Sequence, residues 1–234
     1  MINFNNFIQI AGVSGKAEAE LLIDCGVKYL GFPLRLPVNK EDISEEEAAK
    51  IIKQLPEHTE GILITYLNKA EDILNLAGKL GVTIVQLHGE IRTEELKKIK
   101  EKNSAVKIIK SLIVGKYSLD ELKRLIDLHK KYTDAFITDS YNPSTGATGA
   151  TGLTHNWQIS KALIEYSDKP VILAGGLTPE NVYDAIITVK PAGVDAHTGV
   201  EDTSGKKDKN KIKLFLSEAV KGLKKIEREK NGTT

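Results

Sequence analysis

Short apolar runs alternate with longer amphipathic stretches along the chain, and this alternation constrains the fold more than any other feature of the sequence. Each apolar run is rich in Val, Ile or Leu, and a stretch with helical spacing of apolar residues follows it. The runs begin at eight residues, Phe7, Val27, Gly61, Val82, Val106, Asp134, Pro170 and Ala192. Near-continuous apolar runs are typical of parallel strands that are buried on both faces. The pattern therefore predicts eight strand–helix units.

Eight such units in 234 residues predict an α/β protein, a (β/α)8 TIM barrel, with residues 1–234 as a single domain. The alternative is an open, doubly wound sheet, which usually carries a glycine-rich loop after its first strand. The segment AGVSG that begins at Ala11 is only weakly glycine-rich, and no acidic residue ends the second apolar run. We therefore expect the barrel.

Helix start signals agree with this interpretation. Ser44 with Glu47, and Ser118 with Glu121, fit the capping box, in which two side chains satisfy free backbone N–H groups. Thr178 followed by proline predicts a helix that begins with a capping residue and a proline at its first position.

Composition excludes several classes of protein. Lys+Arg is 33 and Asp+Glu is 32, and this near-neutral balance argues against a nucleic-acid partner. The lone cysteine, Cys25, precludes an internal disulfide and a cysteine metal site, and we expect it to be buried at the barrel end opposite the active site. No apolar run approaches the roughly 20 residues that span a bilayer, and the first residues lack the features of a signal peptide. We expect a cytoplasmic monomer or homodimer that does not associate with a membrane and binds neither a metal nor a cofactor.

Two glycine-containing loops follow the last two predicted strands and suggest a phosphate site. Gly175 and Gly176 lie between a strand and a predicted helix, and Thr198 and Gly199 follow the next strand. Backbone N–H groups of glycine approach an anion closely, and a helix N-terminus favours negative charge. Barrels frequently bind phosphate with the loops after strands seven and eight. The alternative is a pair of ordinary tight turns, but their occurrence in adjacent units favours a phosphorylated small-molecule substrate.

Active sites of such barrels lie at the carboxyl ends of the strands, which directs attention to the polar residues there. Asp139 ends the sixth run and is either an acid–base group or a partner of a loop or lysine. Asp195 ends the eighth run and either orients a ligand amine or hydroxyl or holds the adjoining loops. His88 is expected to hydrogen-bond neighbouring loops. Arg35 and Lys40 are either ligands for a substrate carboxylate or surface charges.

The stretch between Asp139 and Trp157 is long, polar and rich in Gly and Thr. Its length exceeds that of a plain connection, which predicts a lid or binding loop rather than a surface excursion.

Several motifs together resemble the phosphoribosylanthranilate isomerase family of tryptophan biosynthesis. They occur in the order and spacing of that family and cover nearly the whole chain. The matching segments are VQLHG from Val85, the aspartate of ITDS, GATGLTHNW from Gly149, LAGGLTPENV from Leu173, and VDAHTGVE from Val194 with the following GKKD.

The resemblance implies an aldose–ketose isomerase that performs an Amadori rearrangement of a phosphoribosyl-amine. It implies that Asp139 is the general acid that opens the sugar ring and that Asp195 lies beside the substrate amine. It also implies an arginine for the anthranilate carboxylate, which has no clean counterpart in this sequence, so that Arg35 or Lys40 is the candidate substitute. The residues expected around the phosphate are Gly152, Gly175, Gly176, Thr198 and Gly199.

The sequence departs from the family pattern where the proton-abstracting base should lie. The family's cysteine after strand one is Ala11, the lysine two residues earlier is Gln9, and a serine of the last loop is His197. A general acid–base group typically contributes about 10²–10⁴-fold to the rate, so we expect weak or absent isomerase activity, and we expect Ala11→Cys to raise whatever activity exists. His197 is a candidate replacement base, or else a phosphate ligand.

Three functions therefore remain open from the sequence. The protein is a phosphoribosylanthranilate isomerase with a displaced base, an enzyme of the same fold with a different phosphorylated substrate, or a non-catalytic protein that binds a phosphorylated ligand. The retained phosphate loops and Asp139 argue against the third.

Overall fold

A computed structural model describes residues 4–37, 42–141 and 156–232 and shows a closed parallel barrel, which confirms the predicted TIM barrel. Eight strands within the described residues pair in chain order, and the last closes on the first. They are β1 (Phe7–Ala11), β2 (Tyr29–Pro33), β3 (Glu60–Thr65), β4 (Ile84–Leu87), β5 (Lys107–Val114), β6 (Ala135–Ser140), β7 (Val171–Leu173) and β8 (Gly193–Ala196). That the whole chain forms a single domain stays a prediction.

Helices follow every strand and cover the outside of the barrel. Their apolar faces pack on the outward side chains of the strands, which explains why both strand faces are apolar in the sequence. The helices are α1 (Lys16–Asp24), α2 (Glu45–Lys53), α3 (Ala70–Leu80), α4 (Thr93–Lys102), α5 (Leu119–His129), α6 (Trp157–Tyr166), α7 (Val182–Val189) and α8 (Lys209–Lys230). No helix in this described part of the chain is long and apolar enough to cross a membrane.

The barrel interior is filled by side chains at alternating positions of the strands. Phe7, Ile84, Ile109 and Ile137 belong to one buried cluster in this interior. Above them, toward the carboxyl ends of the strands, the interior becomes polar. This change of character places the polar side chains at the end of the barrel where the sequence predicts the active site.

The capping predictions are confirmed at Ser118 and only in part elsewhere. Ser118 and Glu121 form both hydrogen bonds of the capping box. Ser44 accepts the backbone N–H of Glu47 at 3.2 Å. The prediction at Thr178 is wrong, because residues 178–181 form a turn before α7 begins at Val182.

Cys25 caps the carboxyl end of α1, at the barrel end opposite the candidate site, as predicted. It is half-buried rather than buried, because its Sγ lies near the surface, 4.0 Å from the carbonyl oxygen of Lys209.

Candidate active site

Asp139 lies inside the barrel near the carboxyl end of β6. It is only 8% exposed, and its Oδ1 accepts the backbone N–H of Ser140 at 2.8 Å. Burial raises the pKa of Asp139 to about 7, although the hydrogen bond from Ser140 acts in the opposite direction. A carboxyl group with this pKa can hold a proton at neutral pH and give it to a ligand.

His88 accompanies Asp139 in the site. Its Nδ1 lies 3.9 Å from Oδ2 of Asp139 and 3.1 Å from Oγ of Ser111, and its ring lies against the ring of Tyr66. The imidazole therefore connects the ends of β4, β5 and β6, in keeping with the predicted contacts between neighbouring loops.

Asp195 lies inside the barrel near the end of β8, beside Gln9 of β1. It is also 8% exposed, and its Oδ1 has no hydrogen-bond partner among the described residues. Burial and the neighbouring Asp139 raise its pKa to about 7, against the smaller lowering effects of Gln9 and Lys207. An unpartnered buried carboxylate oxygen is costly to a protein unless a ligand uses it.

Strand pairing brings Asp139 and Asp195 to the same level of the barrel. Ile137 of β6 pairs with Ile172 of β7, which pairs with Gly193 of β8. Asp139 and Asp195 each follow these residues by two positions, so both side chains face the interior with β7 between them. The small side chain of Ala174 occupies the corresponding position after β7 and leaves space between the two carboxyl groups.

The two predicted phosphate loops lie side by side above this pair. Gly175 and Gly176 have φ values of 99° and 66°, a left-handed conformation that favours glycine. Gly199 lies in a short 3-10 turn, where a Cβ would lie 1.9 Å from the carbonyl oxygen of Leu177 in the other loop. Asn181 holds the first loop by donating to the carbonyl of Gly176 at 3.0 Å.

The structure thus places Thr198 and Gly199 next to Gly175 and Gly176, in one loop cluster. Gly152 lies outside the described residues, as does most of the long stretch between Asp139 and Trp157. Their phosphate-binding and lid roles stay predictions.

His197 covers the end of β1. A Cβ added to Gly12 would lie 2.1 Å from its Nε2, so the imidazole occupies the space that a side chain at Gly12 would need. Burial and the nearby Lys207 lower the pKa of His197 to about 3. Its Nε2 lies 3.4 Å from Oε1 of Glu201, but that oxygen also binds Nζ of Lys207 at 2.6 Å. The imidazole is therefore neutral at neutral pH and is a weak base there.

Ala11 ends β1 in the buried interior and offers no group that can accept a proton. Two residues earlier, Gln9 donates from Nε2 to Oε1 of Gln86 at 3.0 Å, inside the barrel. This bridge between β1 and β4 joins residues far apart in the sequence, and sequence reasoning did not find it.

Arg35 lies just after β2 with a left-handed backbone, φ 58°. Its Nε donates to Oε1 of Glu45 at the start of α2, and the other oxygen of Glu45 binds Lys79 at 2.7 Å. These contacts hold the guanidinium against α2, and binding of a substrate carboxylate by Arg35 stays a prediction. Lys40 lies outside the described residues.

Comparison with known proteins identifies the family. The family model for N-(5'-phosphoribosyl)anthranilate (PRA) isomerase matches residues 8–218. An N-(5'-phosphoribosyl)anthranilate isomerase 2 from Methanosarcina mazei is 34% identical over 94% of this chain and 96% of its own length.

Two solved structures agree with this result. The phosphoribosyl anthranilate isomerase of Thermotoga maritima has a TM-score of 0.77 and 29% identity, over 94% of this chain and all of that one. A phosphoribosyl anthranilate isomerase in complex with reduced 1-(o-carboxyphenylamino)-1-deoxyribulose 5-phosphate has a TM-score of 0.75 and 28% identity over the same shares. The chain therefore belongs to the N-(5'-phosphoribosyl)anthranilate isomerase family.

Proposed function

We propose that this protein isomerises N-(5'-phosphoribosyl)anthranilate to the corresponding 1-amino-1-deoxyketose phosphate. The observation that carries the proposal is the buried pair Asp139 and Asp195 directly below two glycine loops suited to a phosphate. The family membership supplies the substrate class.

The loop cluster supplies the anchor for the phosphate end of the substrate. Backbone N–H groups of Gly175, Gly176 and Gly199 bind the anion, and the cluster holds the sugar over the barrel mouth. Binding energy from a non-reacting phosphate positions the reacting carbons, which is the usual use of such an anchor.

Asp139 supplies the proton that opens the sugar ring. Its raised pKa keeps the carboxyl group protonated in a useful fraction of molecules at neutral pH, and burial excludes water that would compete for the proton. As the C1–O bond breaks, the ring oxygen takes this proton and the nitrogen lone pair forms a protonated imine with C1.

A second candidate function is the same rearrangement on a phosphorylated aminosugar with a different substituent on nitrogen. The specific observation in its favour is the ion pair of Arg35 with Glu45, which engages the side chain expected to meet the anthranilate carboxylate. The monomeric or homodimeric state of the protein stays a prediction under either function.

Steady-state turnover of N-(5'-phosphoribosyl)anthranilate tests the proposed function. We expect the purified protein to cause a saturable loss of substrate fluorescence, at a rate limited by the missing thiol. Buffer without protein gives the background rate, which is subtracted. A matched control is Asp168→Asn, which removes an exposed carboxylate and should leave turnover unchanged. Absence of turnover in the native protein, with correct folding, would contradict the proposal.

A further inference from the structure

We propose that Asp195 is the base that removes the proton from C2 of the substrate, in place of the thiol that alanine has replaced at position 11. The inference rests on the proposed function and assigns the second half of its acid–base chemistry to a residue of this chain.

Two other ionisable side chains at this end of the barrel, those of His88 and Lys207, already have hydrogen-bond partners. Nδ1 of His88 lies within hydrogen-bond distance of Ser111. Nζ of Lys207 donates to the carbonyl of His197 and to Glu201. In contrast, Oδ1 of Asp195 is buried and finds no partner in the described part of the chain. A carboxylate oxygen held in this way is available to a ligand.

The position of Asp195 suits the abstraction of a proton near the end of β1. Asp195 pairs with Gln9, and the inward-facing residue that follows Gln9 on β1 is Ala11. Asp195 therefore lies on the strand next to β1, which carries Ala11 in place of the family's cysteine. Its carboxylate is one layer of inward-facing side chains deeper in the barrel than Ala11.

The same strand also leads to the phosphate loops. Thr198 and Gly199 follow Asp195 by three and four residues, so the carboxylate lies below the anchor and across β7 from Asp139. A sugar held by its phosphate thus has its reacting carbons between the two carboxyl groups.

The charge of the pair suits one acid and one base. Two neighbouring buried carboxylates repel each other, which favours a state with one proton between them. The pKa of each is raised to about 7 by burial, and for Asp195 also by Asp139. The charged group that opposes this effect at Asp195 is Lys207, and Gln9 contributes a neutral hydrogen bond. Near neutral pH the pair can hold a protonated Asp139 and an ionised Asp195.

The proton balance of the step closes without any further reactant. After Asp139 has protonated the ring oxygen, Asp195 takes the proton from C2 of the protonated imine. The C–H electron pair becomes the C1=C2 double bond, and the π pair of the imine returns to nitrogen. The resulting enolamine becomes the aminoketose by gaining a proton at C1 and losing one from the oxygen on C2.

A double-variant experiment on turnover of N-(5'-phosphoribosyl)anthranilate tests the proposal. The proteins are the native chain, Asp195→Asn, Ala11→Cys and the combined variant, with Asp168→Asn as the control for removal of a carboxylate. We expect Asp195→Asn to lower kcat by about 10²–10⁴-fold in the native background and by less than about 10-fold in the Ala11→Cys background. The difference arises because a thiol at position 11 removes the need for the carboxylate.

The dependence of kcat/KM on pH distinguishes a base from a structural residue, because a purely structural role of Asp195 would not shift the acidic limb of the profile. In the native protein kcat/KM should fall below pH 7 as Asp195 gains its proton, because a base acts only when deprotonated. In the combined variant this acidic limb should shift to the pKa of the new thiol. Thermal unfolding of each variant verifies that the fold is retained.

Each result has a defined meaning. An equal loss in both backgrounds, or a native rate in Asp195→Asn, would overturn the role of Asp195 and leave the proposed function intact. A folded native protein without activity would instead overturn the proposed function itself, and the role of Asp195 with it, whether or not the Ala11→Cys variant is active.

Discussion

Replacing Asp139 by asparagine is expected to lower kcat by about 10²–10⁴-fold while leaving phosphate binding nearly unchanged. The amide keeps the shape of the side chain and can still accept the N–H of Ser140, but it cannot give a proton to the ring oxygen. The glycine loops lie above Asp139 and do not use its carboxylate, so the anchor should be retained.

Two measurements on Asp139→Asn separate these effects. Fluorescence of the substrate gives kcat, and calorimetric titration with reduced 1-(o-carboxyphenylamino)-1-deoxyribulose 5-phosphate gives affinity. Turnover by Asp139→Asn at the native rate would contradict the assignment of the general acid. A large loss of affinity with an unchanged kcat would show that Asp139 binds ligand rather than transferring a proton.

Introducing a thiol by Ala11→Cys is expected to raise kcat by about 10-fold or more. Position 11 ends β1 inside the barrel. The neighbouring residue on β2, Gly31, has no side chain that would compete with a thiol for space. Once formed, its thiolate can accept a proton from carbon, and Asp139 can still act as the acid.

Steady-state fluorescence of the substrate measures this gain, and Ala11→Ser is the matched control because its hydroxyl has similar size but is a much weaker base. An increase in Ala11→Cys that Ala11→Ser does not share supports the assignment of the base position. A fall of kcat in an Ala11→Cys variant whose Tm equals that of the native protein would show that the substrate carbon lies elsewhere.

The barrel follows directly from the sequence because its signals are local. Apolar runs and capping residues act over a few positions, and β1 spans the residues that its apolar run predicts. The start of α7 shows the limit of local signals. Asn181 accepts the backbone N–H of Thr178 at 2.8 Å, which stabilises a turn where the sequence favours a helix start.

The site could be located from the sequence, but its chemistry could not be completed. The family motifs identify Asp139 and Asp195 one at a time. Their common level in the barrel depends on the register of β6, β7 and β8, and the lack of a partner for Oδ1 of Asp195 among the described residues depends on how the surrounding side chains pack. Likewise, the weak basicity of His197 results from its burial beside Lys207, which sequence spacing does not reveal.

The most direct test of the account is a crystal structure of the protein with reduced 1-(o-carboxyphenylamino)-1-deoxyribulose 5-phosphate. We expect the phosphate within hydrogen-bond distance of backbone N–H groups in the loops Gly175–Gly176 and Thr198–Gly199. We also expect C2 of the ligand to lie between Asp139 and Asp195, with Oδ1 of Asp195 in contact with it. A phosphate bound elsewhere, or a ligand carbon beyond the reach of both carboxylates, would contradict the account.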